Sequence, residues 1–414
     1  MRLLIVSQYF WPENFRINDL CAELVARGHQ VTVLTGWPNY PDGQVFEAYR
    51  QQPQDFQHYA GAELVRVPLL PRGRGGPRLF LNFISFALSA SLVGAWKLRG
   101  RQFDAQLVFE PSPVTVGLPA VLQRALKKTP LAFWVLDLWP ETLAAVGVLR
   151  SPTLLRGVGQ LVRFIYRRCD LLLASSQSFI PSIRQYTRPE QDVRYFPNWS
   201  DPWPSEADLV PAPELPAAPG VFTVLFAGNL GEAQDFPAVL AAAQQARQAG
   251  AAIRWVILGD GRMGGWIRDE VQRLGLNDCV QMLGRFPSER MPSFFMQADA
   301  LLVSLKRDPI FAMTVPAKLQ AYLAAGRPVL AMLDGEGAEL VRSTGVGLAC
   351  AAGDAAGLAA AAQQLAALPL AQRQAMGQAG QRLTAERFDR VKLIDQLEQA
   401  LQTLAGPTAR APSP

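Results

Sequence analysis

The sequence predicts two Rossmann-like, doubly wound α/β domains facing each other across a cleft, and three observations predict it. Short apolar runs recur along the chain, each followed by a polar or Gly-containing loop and a helical segment, the strand–loop–helix–strand unit of a parallel sheet. A Pro/Ala-rich stretch without periodicity, 202–219, interrupts this alternation, which then restarts. Finally, 414 residues, 49% hydrophobic and 18% charged, are enough for two ordinary domains and argue against extensive disorder.

The first domain is expected over residues 1–201. Residues 3–7 form an apolar strand ending in the polar loop from Gln8 to Asn14. Residues 17–27 follow as a helix, with Ile17, Leu20, Leu24 and Val25 on one face. Gly28-His29 closes that helix, and 31–35 is the next strand. Further strands are expected at 64–67, 105–109, 131–136, 171–174 and 193–196. The stretch 202–219 is read as a linker. The second domain, 220–405, opens with a strand at 222–226, the loop Gly228-Asn229-Leu230-Gly231 and a helix at 236–248. A strand at 255–258 leads to a second loop, Gly259-Asp260-Gly261. Strands near 280–283, 300–303, 329–332 and 347–349 alternate with helices after that. The last helix is allowed to pack back on the first domain, and 406–414 is expected to be a disordered tail.

Composition excludes several classes. A net charge of +5 is too mild for nucleic acid, and no basic stripe is interleaved with aromatics. It suits a partner bearing phosphates, such as a diphosphate substrate or an anionic membrane surface. The four cysteines, Cys21, Cys169, Cys279 and Cys350, lie far apart without a CxxC pair and read as reduced thiols. Only two histidines occur, so a multi-histidine metal site is excluded. The first apolar run is too short for a signal peptide, and a cytoplasmic location is expected.

Residues 79–96 carry no charge and lie between Arg72, Arg74 and Arg78 on one side and Lys97, Arg99 and Arg101 on the other. Eighteen uncharged residues just reach the length of a membrane span. Spanning conflicts with the topology, because strands on both sides of the segment belong to one sheet. Asn82, Ser85 and Ser89 share one helical face, leaving Phe80, Phe83, Ile84, Ala87, Leu88 and Val93 elsewhere. Two readings stay open: a buried helix of the first domain, or a helix in the membrane interface anchored by the arginines.

Candidate chemistry concentrates in loops after strands. Backbone N–H groups of 228–231 and 259–261 can approach a diphosphate, although ordinary α/β turns also favour glycine. Residues 303–319 follow a strand and lead into a helix starting near Pro316, where proline suits the first turn. Lys306, Arg307 and Lys318 can gather at that helix start, where anions are already favoured; solvated surface lysines are the alternative. In the first domain Asp137 and Glu141 follow a buried strand. A carboxylate there can orient an acceptor hydroxyl or take its proton, or Asp137 can simply cap a helix. Trp11, Trp37, Tyr40 and Trp139, on loops of the same domain and joined by Glu13, can stack on or hold sugar rings, or can be packing residues.

The ordered series Gly228-Asn229-Leu230-Gly231, Gly259-Asp260-Gly261, Leu283-Gly284-Arg285-Phe286-Pro287, Pro316-x-Lys318, Ala325-Gly326-Arg327-Pro328, Gly337-x-Glu339 and Gly345-x-Gly347 resembles the C-terminal half of glycosyltransferase family 4. Arg27-Gly28-His29-x-Val31 and Phe196-Pro197-Asn198-Trp199 extend the resemblance to about residues 1–395. Asp137-Leu138-Trp139-Pro140-Glu141-Thr142, Glu232-Ala233-Gln234 and Asp308-Pro309-Ile310-Phe311 look like the fucosaminyltransferase type of bacterial O-antigen and capsule enzymes. The resemblance implies a GT-B fold, a UDP-sugar donor in the second domain, no required metal, and retention of anomeric configuration. It also implies an acceptor on the first domain, often a polyprenyl-diphosphate-linked sugar or glycan, at the cytoplasmic face of the inner membrane. Carried onto this chain, Lys318 and Asp137 become catalytic. Arg16, 228–231, 259–261, Arg285, Phe286, Lys306, Thr314, Pro316, Gly337 and Glu339 face the donor. Trp11, Glu13, Trp37, Tyr40, Trp139 and Glu141 face the acceptor.

The sequence departs from that family at three points. The two glutamates eight apart fall near Met313 and Ala321, neither acidic, leaving Thr314, Gln320 or Asp308 as replacements. The N-terminal Gly-Gly loop is replaced by Asn14-Phe15-Arg16, and the histidine before Asp137 is Leu136. A non-catalytic sugar-nucleotide-binding protein and a GT-B UDP-HexNAc epimerase are the rivals. A dinucleotide oxidoreductase lacks its G-x-G-x-x-G after the first strand.

Overall fold

The computed structural model describes residues 1–41, 43–73, 76–201, 203–204 and 209–406. They divide into two units, Met1–Phe196 with the segment from Ile394, and Pro197–Leu393. Arg74 and the expected tail beyond Gly406 lie outside the described residues.

The first unit is built on β1 (Arg2–Val6), β2 (Gln30–Gly36), β3 (His58–Tyr59), β4 (Ala62–Val67), β5 (Ala105–Glu110), β6 (Leu131–Val135), β7 (Leu171–Ala174) and β8 (Asp192–Tyr195). Their order across the sheet is β3-β4-β2-β1-β5-β6-β7-β8, parallel except for the β3–β4 hairpin, which the sequence reading did not anticipate. Strands β5, β6 and β7 are buried along their whole length, as expected for sheets covered on both faces. Arg27 and His29 hold the C-terminal helix Arg390–Ala405 against this unit. Arg27 pairs with Glu23, Asp395 and Glu398, and His29 Nε2 lies 2.9 Å from Glu398.

The uncharged segment is a helix, Gly76–Lys97. Its polar face is the buried one. Asn82 is fully buried, donating to the Leu70 carbonyl and accepting from Gln8 Nε2, while Ser85 Oγ accepts from Leu70 N. Phe83, Phe86, Ala87 and Ala90 pack inward, whereas Phe80, Leu81, Leu88, Leu92 and Trp96 are 50–71% exposed. A wholly buried helix is therefore excluded. Each such side chain forgoes about 1.5–3 kcal/mol of burial, so a row of them on one helix marks an interaction surface.

The second unit is a six-stranded parallel sheet among the described residues: β9 (Phe222–Ala227), β10 (Ile253–Leu258), β11 (Val280–Gly284), β12 (Ala300–Ser304), β13 (Val329–Met332) and β14 (Gly347–Cys350). The order β11-β10-β9-β12-β13-β14 reverses direction between β9 and β12, the place where open α/β sheets bind ligands. The stretch read as a linker packs on this unit. Ala212 and Leu215 are buried in its core, Gln297 holds the backbone of both, and Trp203 stacks on Phe295 at 6.2 Å. Proline removes the periodicity that would have revealed this packing, but not the apolar side chains that cause it.

Candidate functional site

In the second unit the loops leaving β9 and β10 press together at the C-terminal edge of the sheet. Gly228 and Gly259 have φ of +140° and +133°, which only glycine adopts readily. A Cβ on Gly259 would fall 1.8 Å from the Gly228 carbonyl oxygen, and one on Gly261 2.5 Å from that of Leu230. The glycines thus allow backbone to touch backbone. Gln234 Oε1 accepts from Gly231 N, and Ser304 Oγ donates to Gln234 O, fixing the first loop to β12.

Lys318 folds over this edge. It is the second residue of helix Ala317–Ala324, for which Pro316 is the N-cap. A Cβ on Gly228 would lie 2.3 Å from Lys318 Cε, and the ammonium sits 4.2 Å from the centre of the Phe226 ring. Lys318 forms no ion pair with a described carboxylate, and burial pulls its pKa down to about 8. A poorly solvated cation without a counter-ion is costly to keep. It is stabilised once an anion arrives. The start of helix Gly335–Thr344 abuts the same place: a Cβ on Gly337 would stand 3.5 Å from Pro316 Cδ. Two helix N-termini and one uncompensated ammonium therefore converge beside the glycine loops, an arrangement suited to a diphosphate.

Other expected donor residues are placed less tellingly. Lys306, Asn229, Asp260, Arg285 and Glu339 are exposed, Leu230 is buried, and Phe286 packs against Phe294. Thr314 Oγ1 donates to the Ile310 carbonyl, and the Asp308 carboxylate accepts from Ile310 N, so both serve the short helix Pro309–Met313. Gln320 is buried, and its amide nitrogen and oxygen have no hydrogen-bond partner among the described residues. Arg16, in the first unit, opens helix Arg16–Ala26.

The first unit redistributes the expected acceptor residues. Glu13 is buried, and its carboxylate accepts from the backbone N–H groups of Asn39, Tyr40 and Phe10 at 2.7–3.0 Å. Desolvation lifts its pKa to about 7. It ties two loops together and does not present a free carboxylate. Trp11 packs against Phe56 and Tyr59. Glu141 turns inward to accept from Ser182 Oγ. Trp37 lines a hollow of about 920 Å³ with Tyr49 and Arg50. Tyr40 and Trp139 line a separate cavity of about 610 Å³ together with Tyr9, Phe15, Phe83 and Arg72.

Asp137 stands behind that second cavity. One of its oxygens accepts from Thr142 Oγ1 at 2.5 Å, the other from Trp139 Nε1 at 3.1 Å, and Ser112 adds a further bond. Burial raises its pKa, and these bonds oppose the rise. With its oxygens engaged by Thr142, Trp139 and Ser112, Asp137 holds the cavity wall in place from behind. Beneath it lies Glu110, which the sequence reading missed: wholly buried at the end of β5, its Oε2 accepts weakly from Asp137 N at 3.4 Å. Desolvation first, and the Asp137 charge second, push its pKa well above the carboxylate range. A glutamate followed by Pro111-Ser112-Pro113 at a strand end was the available signal. Among the described residues no three His, Cys, Asp or Glu side chains gather as a metal ligand set.

Comparison with known proteins agrees with this architecture. A family model described as a glycosyl transferase 4-like domain matches residues 14–199, and one described as glycosyl transferases group 1 matches 221–367. WcaI of Escherichia coli (strain K12), named as a colanic acid biosynthesis glycosyl transferase, is 26% identical over 343 residues, 79% of this chain and 82% of that protein. WbjE of Pseudomonas aeruginosa, named as a glycosyltransferase, is 28% identical over 234 residues, 53% of this chain; the match spans 56% of WbjE's own length. Among solved structures, Anabaena HepE in complex with UDP and glucose superposes with a TM-score of 0.67 at 17% identity, covering 97% of this chain and 99% of that one. The sucrose-phosphate synthase of Thermosynechococcus elongatus gives 0.70 at 17%, covering 98% and 99%. The fold is GT-B, and each of its two domains is matched by a family model of glycosyltransferases, a 4-like domain on the first and a group 1 domain on the second.

Proposed function

We propose that this chain is a retaining glycosyltransferase of bacterial surface polysaccharide synthesis, O-antigen or capsule. In this reading it moves a sugar from a UDP-sugar to a lipid-linked or glycan acceptor. The observation that carries the reading is Lys318, an ammonium without a counter-ion held over Gly228 at two helix starts. A leaving UDP needs positive charge on its diphosphate, and fixed cations and helix dipoles supply it without a metal. The names of WcaI and WbjE, and the UDP bound by HepE, support the substrate class. The motifs at Asp137–Thr142 and Asp308–Phe311 favour an N-acetylated amino sugar such as FucNAc as the transferred group.

UDP should protect the purified protein against thermal unfolding, in EDTA, by a larger Tm shift than GDP at equal concentration. Stabilisation grows as the logarithm of ligand concentration over Kd, so equal concentrations make the comparison fair. Equal or greater protection by GDP, or a requirement for metal, overturns the donor assignment.

In this reading the enzyme works at the cytoplasmic face of the inner membrane, bound peripherally. The exposed apolar row of helix Gly76–Lys97 supports this, together with Arg72, Arg78 and Arg99, none of which pairs with a described carboxylate. Each basic residue near an anionic surface contributes about 1 kcal/mol, screened by salt, while the apolar contribution is not. Flotation should show binding to anionic liposomes that salt weakens without abolishing. Leu88→Ser with Leu92→Ser should release a protein that keeps its Tm. A protein that ignores anionic liposomes sinks this placement.

A further inference from the structure

The cavity of about 610 Å³ in the first unit lies where the loops after β1, β2, β5 and β6 converge, contributing Tyr9, Tyr40, Ser112 and Trp139 to its wall. That position, outside the C-terminal ends of the central strands, is the one at which open parallel sheets bind ligands. Its chemistry is unusual for a carbohydrate site. Most polar groups in the wall are already committed to the protein: Thr142 Oγ1, Trp139 Nε1 and Ser112 bond Asp137, and Tyr9 Oη, which donates to Asn82, also bonds Arg72. A sugar there would find few groups left to meet its hydroxyls, and an unmet buried hydroxyl costs about 1–3 kcal/mol. What remains is hydrocarbon and aromatic surface, with one cation. Arg72 lies against the Tyr40 ring at 5.3 Å and has no carboxylate partner among the described residues.

The mouth of the cavity is equally apolar. Phe80, Val146 and Val148 line it and are 62%, 52% and 55% exposed. Phe80 also begins the exposed row that continues, at helical spacing, through Leu88, Leu92 and Trp96. An apolar surface thus runs without a charged interruption from the outer face of the helix to the cavity, and the arginine stands in the cavity wall.

We propose that this cavity is a binding site for an amphiphile with a single hydrocarbon chain and a terminal phosphate or diphosphate. The chain lies along the apolar wall and leaves past Phe80 and Val148, and Arg72 holds the anionic end. The inference deepens the proposed function: it rests on that reading in taking the ligand to be the anchor of a lipid-linked acceptor, and it assigns the anchor to the first domain's own crevice.

Binding to the purified full-length chain is measured by titration calorimetry in the absence of vesicles, with farnesyl diphosphate kept monomeric. Farnesol and inorganic diphosphate serve as the two half-ligands. Farnesyl diphosphate is expected to bind at least 10-fold more tightly than either half. Val148→Asp and Phe80→Asp, both at exposed rim positions that should fold normally, are expected to weaken it at least 10-fold. Arg72→Gln is expected to remove the preference for farnesyl diphosphate over farnesol. No binding by the wild type, equal binding of farnesol, or unchanged affinity in both rim variants overturns the proposal. The UDP-induced Tm shift is recorded on the same samples: if it persists while farnesyl diphosphate fails to bind, this inference alone falls, and if it is absent the donor reading falls with its own test.

Discussion

Lys318→Ala is expected to lower turnover by about 10²-fold or more while leaving the fold intact, the usual consequence of removing one electrostatic stabiliser from a developing charge. The ammonium is already in place over Gly228, so in the proposed transfer no rearrangement is needed when the bond to UDP breaks. Lys318→Arg should not restore full activity, since the space beside the Gly228 loop is filled by the lysine's own methylenes and a planar guanidinium has a different shape. Turnover is read as UDP release, with circular dichroism and Tm confirming folding. A folded Lys318→Ala protein with near-wild-type turnover removes Lys318 from the mechanism.

The same residue makes a stability prediction of opposite sign. Its folded pKa, about 8, lies below the ordinary lysine value. Between those two values the unfolded chain holds a proton that the folded chain has lost, so stability of the ligand-free protein rises with pH across that window. Below pH 8 the burial penalty is present in full. Lys318→Met, which keeps the volume and removes the charge, is therefore expected to raise the ligand-free Tm at pH 7 while abolishing the gain from UDP. Activity that depends on the ammonium should decline on the alkaline side of pH 8 in kcat/KM. A site that stabilises its ligand at the cost of the empty protein behaves this way.

How far such features could be read without coordinates depended on whether their cause was local. The strands β5, β6, β9 and β10 were legible because each is an apolar run buried along its length. Lys318 was legible because proline before it marks a helix start and the glycine loops precede it in fixed order. Glu13 and Asp137 were not. What occupies a carboxylate is a backbone N–H 26 residues away in one case and an indole and a hydroxyl of its own loop in the other. A sequence shows the acid without its partners. The facing of helix Gly76–Lys97 stayed open for a related reason. The sequence shows that Asn82 shares a face with Ser85 and Ser89 but not where that face points; Leu70 O and Gln8, brought in by two distant loops, make burial of its amide favourable. That left the leucines outside. Glu110 carried only a strand-end motif as its signal, and its interest comes from being buried against a second carboxyl.

The second large effect is expected at Gly259. Its φ of +133° is strained for any residue with a Cβ, and the added methyl would meet the Gly228 carbonyl oxygen at 1.8 Å, backbone against backbone. No rotamer change can relieve such a contact, so Gly259→Ala must separate the two glycine loops. We expect a loss on the order of 1–3 kcal/mol, hence a Tm lowered by several degrees. Affinity for UDP should fall at least 10-fold, because the loop displaced is the one over which Lys318 lies. Gly265→Ala is the internal control. Gly265 sits exposed in helix Gly264–Arg273 with ordinary φ, and a Cβ there meets nothing within 4 Å. That substitution should leave Tm unchanged or slightly raised, since alanine restricts the unfolded chain without straining the folded one. Scanning calorimetry and UDP titration of both variants decide the matter. If Gly259→Ala matches Gly265→Ala in both Tm and UDP affinity, the close approach of the two loops is not what builds the donor site.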